Sequence, residues 1–559
     1  MKRVLNILKY CLVYVPLLLM SCADFLEEEA LDFKGSSNSF NTEADFDKSV
    51  VGLHWLVRSE FYSVDENHPF DYLFGTDLVW DGQVQGAQRF NDFDNTCDPN
   101  NSYLTTHWTN LYKMVSEANT ILSRLPSSSV SEENKVLYEA TAKFFRAFAY
   151  RTLAYLYGGV PIELNEVVTP KKDYVRASYE TVLNQVIEDL IFAANNLPEI
   201  NSVKDGEISK PAAYHLLAEV YLANGQYQEA YNAASEVIDN PNLALMKERF
   251  GSLKSEPGDV YYDLFRVNNQ NRSAGNTEAI WVIQYETDVI GGDNTSSNNN
   301  GYKLERMCPP LLRDLRIDGE SVSPFLWPTS TFTGGRGIGW AISTKYFSNT
   351  IWENSDWNDM RNSNYNFVRE YVSDNPASKF YGQIISTENP PQGMPASVPF
   401  REFYAYQSKC TTPGQHPEGL YADYSTGLLS GSAGATYTDQ YMFRLAETYL
   451  IRAEASLGLG DTQKAADDIN VVRDRAKAIP CVASDIDIDY ILDERMRELG
   501  VEEKRRLTLG RLGDVYRRTV EVAQNPNVNN MEEKHNLWPI PYSEIERNTD
   551  AVLEQNPGY

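Results

Sequence analysis

Pro211-Ala212-Ala213-Tyr214-His215-Leu216-Leu217-Ala218-Glu219-Val220-Tyr221-Leu222-Ala223-Asn224-Gly225-Gln226-Tyr227-Gln228-Glu229-Ala230, running on through Ala234 and Val237, carries the architecture of this chain. Proline is tolerated in a first helical turn, where its missing N–H would have had no partner. From there Tyr214, Leu217, Ala218 and Tyr221 fall on one helical face. Gly225 turns the chain, Tyr227 follows, and Ala230, Ala234 and Val237 form the face of a second helix. The two helices therefore meet through small residues. The same separations return downstream, where Ala453, Gly460 and Ala465 repeat the spacing of Ala218, Gly225 and Ala230. Two copies so far apart imply a helical scaffold interrupted by a long insertion, not a tandem array.

Upstream, Thr42 with Asp45 reads as a capping-box start, followed by Phe46, Val50 and Leu53 on one face. Residues 107–125 predict a helix from the recurrence of Trp108, Leu111, Tyr112, Val115, Leu122 and Leu125, ended by Pro126. Another runs over 133–157 and stops at Gly158-Gly159-Val160-Pro161, and a third covers 179–195. Downstream, helices are predicted over 441–457, 463–476 and 489–498, then an irregular tail from Asn525 containing Trp538-Pro539-Ile540-Pro541 that packs back over them. Residues 245–435 differ: polar loop 291–300, Pro309-Pro310, Gly334-Gly335 and the run 390–394 supply turns, and Ala279–Tyr285 is short enough for a strand. The division is 1–21 leader, 22–41 tether, 42–244 helical part, 245–435 loop-rich ligand-binding body, and 436–559 helical part with packed tail.

The leader reads from chemistry. Lys2, Arg3 and Lys9 precede the apolar run Tyr10–Met20, and Leu19-Met20-Ser21-Cys22 follows the pattern of a bacterial lipobox. The run is too short for an ordinary span, so the expected attachment is a lipid on Cys22. Cleavage there removes those three cations and no acid, taking the formal charge from −28 to −31. That sign excludes nucleic acid or an anionic bilayer as the main partner. Cys97, Cys308, Cys410 and Cys481 are scattered, with no CxxC pair for a structural zinc site.

At this point the chain resembles the SusD/RagB family of outer-membrane lipoproteins. The resemblance rests on the lipobox, on Trp108, Tyr112 and Asn119, and on Glu139-Ala140-Thr141-Ala142-Lys143-Phe144-Phe145-Arg146-Ala147-Phe148 running to Leu156-Tyr157-Gly158-Gly159-Val160-Pro161. It continues through Arg444-Leu445-Ala446-Glu447, Arg452-Ala453-Glu454-Ala455, Ile491-Leu492-Asp493-Glu494-Arg495, Leu537-Trp538-Pro539-Ile540-Pro541 and Asn556-Pro557-Gly558-Tyr559. It implies a mostly α fold: four tetratricopeptide-like helix pairs as scaffold, with a long, loop-rich irregular insertion. It also implies a non-catalytic surface protein that captures oligosaccharides and hands them to a SusC-like TonB-dependent transporter, lipid-anchored in the outer membrane and facing outward. The acid triplet Glu27–Glu29 resembles the export signals of such lipoproteins, although Ala23-Asp24-Phe25-Leu26 precedes it.

Glycan recognition needs aromatic faces against the C–H face of a sugar, with carboxylate, amide or guanidinium groups for its hydroxyls. Three clusters offer that mixture: Asp71, Tyr72, Asp77, Trp80, Asp81 and Gln83; Trp327, Trp340 and Tyr346 with Arg336; and Trp352, Trp357, Asp359, Arg361 and Asn362. Core packing is the plain alternative for each tryptophan. Arg146, Glu447, Arg452, Glu454, Glu494 and Arg495 read as charges held between helices, and Gly158, Gly159, Pro161, Gly225, Ala230, Gly460 and Ala465 as scaffold. The chain contains no HExxH, GxSxG or Walker motif, and its histidines show no pair at ligand spacing. No cofactor is expected; the polar loop 293–300 offers oxygen ligands that calcium could use, without EF-hand spacing. Peptide capture would share the aromatic and acidic signature, and a ligand-silent structural lid or a glycoside hydrolase completes the alternatives.

Overall fold

The computed structural model describes residues 40–83, 89–289, 292, 294–295, 300–394 and 399–559. The leader, Cys22 and the tether to residue 39 lie outside the described residues, as do Asp293 and residues 296–299 of the polar loop. No helix among the described residues is long and apolar enough to cross a membrane.

Eight long helices form the scaffold: α1 (Glu43–Phe61), α2 (Ser102–Arg124), α3 (Glu132–Tyr157), α4 (Tyr179–Asn196), α5 (Lys210–Ala223), α6 (Tyr227–Ile238), α7 (Leu445–Gly458) and α8 (Thr462–Arg475). Each packs on the next in order, making four stacked helix pairs. The decisive contact is α6 against α7: the helices flanking the insertion are neighbours in the stack, so the two spaced repeats are adjacent units. Ala218, Ala230, Ala453 and Ala465 are all fully buried at these joints, and Gly225 and Gly460 take the left-handed φ of 70° and 78° that turns each pair. Two shorter helices, α9 (Ile488–Glu498) and α10 (Arg505–Leu512), pack on α7 and α3.

Local chemistry explains the boundaries. Ser131 and Ser178 cap α3 and α4 by accepting from the N–H groups of Asn134 and Thr181. At α1 the Asp45 carboxylate accepts from the Thr42 N–H at 3.2 Å. α2 begins earlier than the sequence predicts, because Asn101 caps it by accepting from the Tyr103 N–H. One expectation needs correcting: residues 441–444 are strand, not helix. Gln440–Arg444 pairs antiparallel with Ala279–Ile283, and Tyr441, Phe443 and Arg444 are buried. The strand then passes directly into α7, and apolar Tyr-Met-Phe followed by a helical pattern concealed the change of period.

Among the described residues the insertion consists of two-stranded ribbons, short helical segments and turns. It is riveted to the scaffold by Trp281, whose buried ring meets Phe144, Phe148 and Phe443 at 5.4–5.5 Å between centroids. The tail returns as expected: Trp538 is fully buried and its backbone N–H donates to the Leu156 carbonyl.

Candidate functional site

The interior holds much of what the sequence offered as ligand chemistry. Asp359 and Arg361 are buried beneath α9, where Arg361 pairs with Asp359 at 2.6 Å, Glu494 at 2.8 Å and Glu498 at 3.0 Å. Arg444, Arg473, Arg475 and Arg497 close the same network with Glu278 and Glu502, one carboxylate for each guanidinium. Burial raises the Glu494 and Glu498 pKa values, but the surrounding arginines outweigh it and hold both well below the usual carboxylate range. Trp352 is 0% exposed, with its ring N–H given to the Phe347 carbonyl. Asn362 spends its amide on the Trp357 carbonyl, leaving Trp357, 40% exposed with Arg369 at 5.0 Å, as the accessible member of that cluster. The third cluster is therefore corrected from ligand face to core for Trp352, Asp359, Arg361 and Asn362.

The first cluster divides in the same way. Tyr72 donates to Glu60 at 2.6 Å, and Asp77 is clamped by Arg505 at 2.7 Å and Arg518 at 3.0 Å, all buried. Asp71 faces Arg89 and His107. Asp81 is also buried; its carboxylate accepts from the N–H groups of Gln83 and Arg89, and burial pushes its pKa up to about 6. Glu60, His68 and His107 bring three metal-competent atoms within 4.8 Å of one another. Those atoms are already engaged with each other: Glu60 takes His68 at 2.9 Å and His107 at 2.5 Å, and also accepts from Asn110. Burial lowers the His107 pKa, yet the charge of Glu60 and hydrogen bonds to Asp71 and Glu60 lift it to about 9. This is an ion-pair cluster tying α1 to α2.

The residues treated as scaffold sit in ion pairs and turns. Arg146 meets Asp189 at 2.8 Å, Arg452 meets Asp468 at 2.6 Å, Glu454 meets Arg511 at 2.5 Å, and Arg495 bridges Glu447 and Glu503 at 2.6 Å each. Gly158 and Gly159 end α3, and the Pro161 carbonyl accepts from Tyr112.

What remains open is a face built around Trp327, which is 49% exposed. The Arg313 guanidinium lies 4.1 Å from its ring centroid and that of Arg336 5.5 Å. Arg336 is set in place by a buried relay. Its backbone N–H donates to Glu305, whose other oxygen meets His416 at 2.6 Å, and His416 in turn bonds Thr331 at 2.8 Å. Gly335 is required here: its φ is 67°, and a Cβ would stand 2.2 Å from the Glu305 carboxylate. Trp340 directly precedes the next strand, Ala341–Ser343; the Gly82 N–H bonds its carbonyl and Trp80 pairs in register with Ile342. Trp80 and Trp340 are half-buried, while Tyr346 points elsewhere, bonding Asp493 at 3.0 Å.

Sequence reading missed several members of this face. The Arg306 backbone carbonyl accepts from the Ile338 N–H while its guanidinium pairs with Glu66 at 2.5 Å; Arg401 donates to the Ile338 carbonyl at 2.7 Å. Phe332 and Tyr424, 68% and 69% exposed, lie on the loop and ribbon joined through Thr331 N–H to the Gly427 carbonyl. The visible signal was arginine in an acidic chain: Arg306, Arg313 and Arg316 fall within eleven residues that hold one acid, Asp314. A separate cleft of about 300 Å³, lined by Trp108, Tyr112, Asn119 and Glu163 among others, shares no residue with this face. Its Trp108 is buried and its Tyr112 hydroxyl is committed to Pro161.

The comparisons with known proteins agree with the architecture. A SusD-like protein of Formosa agariphila is 25% identical over 600 aligned positions, covering the whole of both chains. A solved laminarin-binding SusD-like protein superposes with a TM-score of 0.65 at 21% identity, over 93% of this chain and all of that one. Surface glycan-binding protein A of Bacteroides thetaiotaomicron, solved with laminarihexaose, gives 0.64 at 18% identity, over 92% of this chain and all of its own. Residues 24–222 match a family described as starch-binding and associating with the outer membrane. With residues 277–559, more than half of its length, matching the SusD family, the chain belongs to that family.

Proposed function

We propose that this chain is a non-catalytic glycan-binding lipoprotein of the outer-membrane surface, which captures oligosaccharides and delivers them to a SusC-like TonB-dependent transporter. The observation that carries this is the exposed Trp327 ring, stacked by Arg313 and Arg336 on the loop-rich body of a SusD-family scaffold. Family members of the same fold include a laminarin-binding protein and one solved with laminarihexaose. A half-exposed indole with guanidinium donors beside it suits a pyranose ring and its hydroxyls. The role needs no cofactor. A lipid on Cys22 would hold the protein at the membrane, and the acidic surface would keep it soluble above it.

The test is calorimetric titration of residues 23–559 with panels of oligosaccharides and of mixed peptides. Saturable glycan binding that falls at least about tenfold in Trp327→Ala, with an unchanged melting temperature, supports the reading. Binding confined to peptides overturns it. Delivery is checked separately, by co-purification of the full lipoprotein with a TonB-dependent transporter from detergent-solubilised outer membranes.

A further inference from the structure

Beneath α9 the match of arginines to carboxylates is one for one. At the Trp327 face it fails. Arg313 and Arg336 share one indole. Arg336 and Arg306 flank Gly434, both within 3.7 Å of where its Cβ would stand. The Arg401 guanidinium bonds the Ile338 carbonyl, and the Arg306 and Arg401 charges both bear on Arg313. Against these four cations stand Glu66, taken by Arg306, and Asp314, 3.8 Å from Arg313. Glu305 is turned inward to His416. Among the described residues neither Arg336 nor Arg401 has a carboxylate within ion-pair distance.

Unneutralised guanidiniums side by side are costly. Burial, then the neighbouring Arg306 and Arg313 charges, lower the Arg336 pKa to about 10. A fold that keeps four such cations half-buried, with Glu66 and Asp314 as their ion-pair partners among the described residues, carries a local excess of positive charge and is preorganised for an anion from outside. Guanidinium forks match carboxylate and sulfate oxygens in pairs, and the adjacent indole takes an apolar ring face.

We propose that the Trp327 face binds an anionic glycan, one whose rings carry carboxylate or sulfate, with Arg313 and Arg336 reading the charge and Trp327 the ring. This rests on the glycan-binding role proposed above and narrows it to a charge class. The long-range field of the chain is repulsive to such a ligand, but it is screened beyond roughly 8 Å at physiological ionic strength, leaving the local arginines to decide.

The experiment titrates residues 23–559 with matched pairs: oligogalacturonates against their fully methyl-esterified forms, and sulfated galactan oligosaccharides against their desulfated forms. A wider panel of neutral oligosaccharides is run beside them. The expected result is that the charged member of one pair binds at least about tenfold tighter than its neutral counterpart, an advantage that shrinks from about 50 to about 500 mM salt. Which pair responds separates carboxylate from sulfate. Arg336→Gln and Arg313→Gln should each remove most of that advantage while leaving the melting temperature unchanged. Equal or tighter binding of neutral glycans, or a charge preference that survives both substitutions, overturns this proposal and leaves the glycan-binding role standing. Silence across every glycan overturns that role, and this inference with it.

Discussion

Two tryptophans of the insertion, twenty-five positions apart, show how differently one residue type is used. Trp352 is sealed, with its N–H satisfied by Phe347 and its ring edge-on to Phe367 at 6.1 Å. Trp352→Ala should cost about 3–5 kcal/mol in denaturant unfolding, without changing ligand affinity in the molecules that remain folded. Arg361→Ala should be comparably severe, about 3–5 kcal/mol, because Asp359, Glu494 and Glu498 would keep buried negative charge without their shared partner. Trp327, half in solvent, should show the reverse pattern. The sequence revealed the chemistry of all three residues and the setting of none. Trp, Asp and Arg within a polar stretch look like a sugar site; what makes Arg361 structural is Glu494 and Glu498, more than 130 positions away on α9. Local composition cannot register a partner supplied by another element. Trp327, among prolines, is left half exposed, while Arg336, among glycines, reaches the Ala433 carbonyl 97 positions on.

At the scale of elements, the repeat was readable because its signal is a spacing. Gly225 and Gly460 mark turns that only a left-handed residue makes cheaply, and small residues on either side mark where helices touch. The strand at 440–444 was not readable, since its partner at 279–283 lies far off and its own residues suit either period. Two predictions belong here. In the loop that positions Arg336, Gly335→Ala sets a methyl group against Glu305 in a strained φ, so ligand affinity should fall about tenfold and unfolding stability by about 1–3 kcal/mol, read by titration and by denaturant melts. Between α1 and α2, His107 is held protonated by Glu60 and Asp71 with a pKa of about 9, above the unfolded value of 6.5. Its contribution is therefore complete below pH 6.5 and is lost as pH rises through about 9. The stability gap between wild type and His107→Gln should be widest near pH 6, of order 3 kcal/mol, and should narrow across that window in thermal melts.

For the whole molecule, scaffold and insertion share one core. Trp281 enters the phenylalanine cluster of α3, and the strand pair that carries it leads directly into α7. Calorimetry should therefore show one unfolding transition, with calorimetric and van't Hoff enthalpies in agreement despite the length of the chain; two resolved transitions would contradict the shared core. The seam between α6 and α7 also has a consequence in time. Synthesis delivers α6 some two hundred residues before α7, the helix that packs on it and reaches Ser235 through Arg452. Until then its docking face has no native occupant, and the nascent N-terminal half carries a raw edge onto which another unfinished chain could stack. A stack closed by its last-made members is slow to complete and vulnerable while incomplete, because the loop-closure entropy of the whole insertion must be met before that joint forms. A fragment ending after α6 is therefore expected to aggregate where the full chain stays monomeric, which light scattering of the two purified side by side would check.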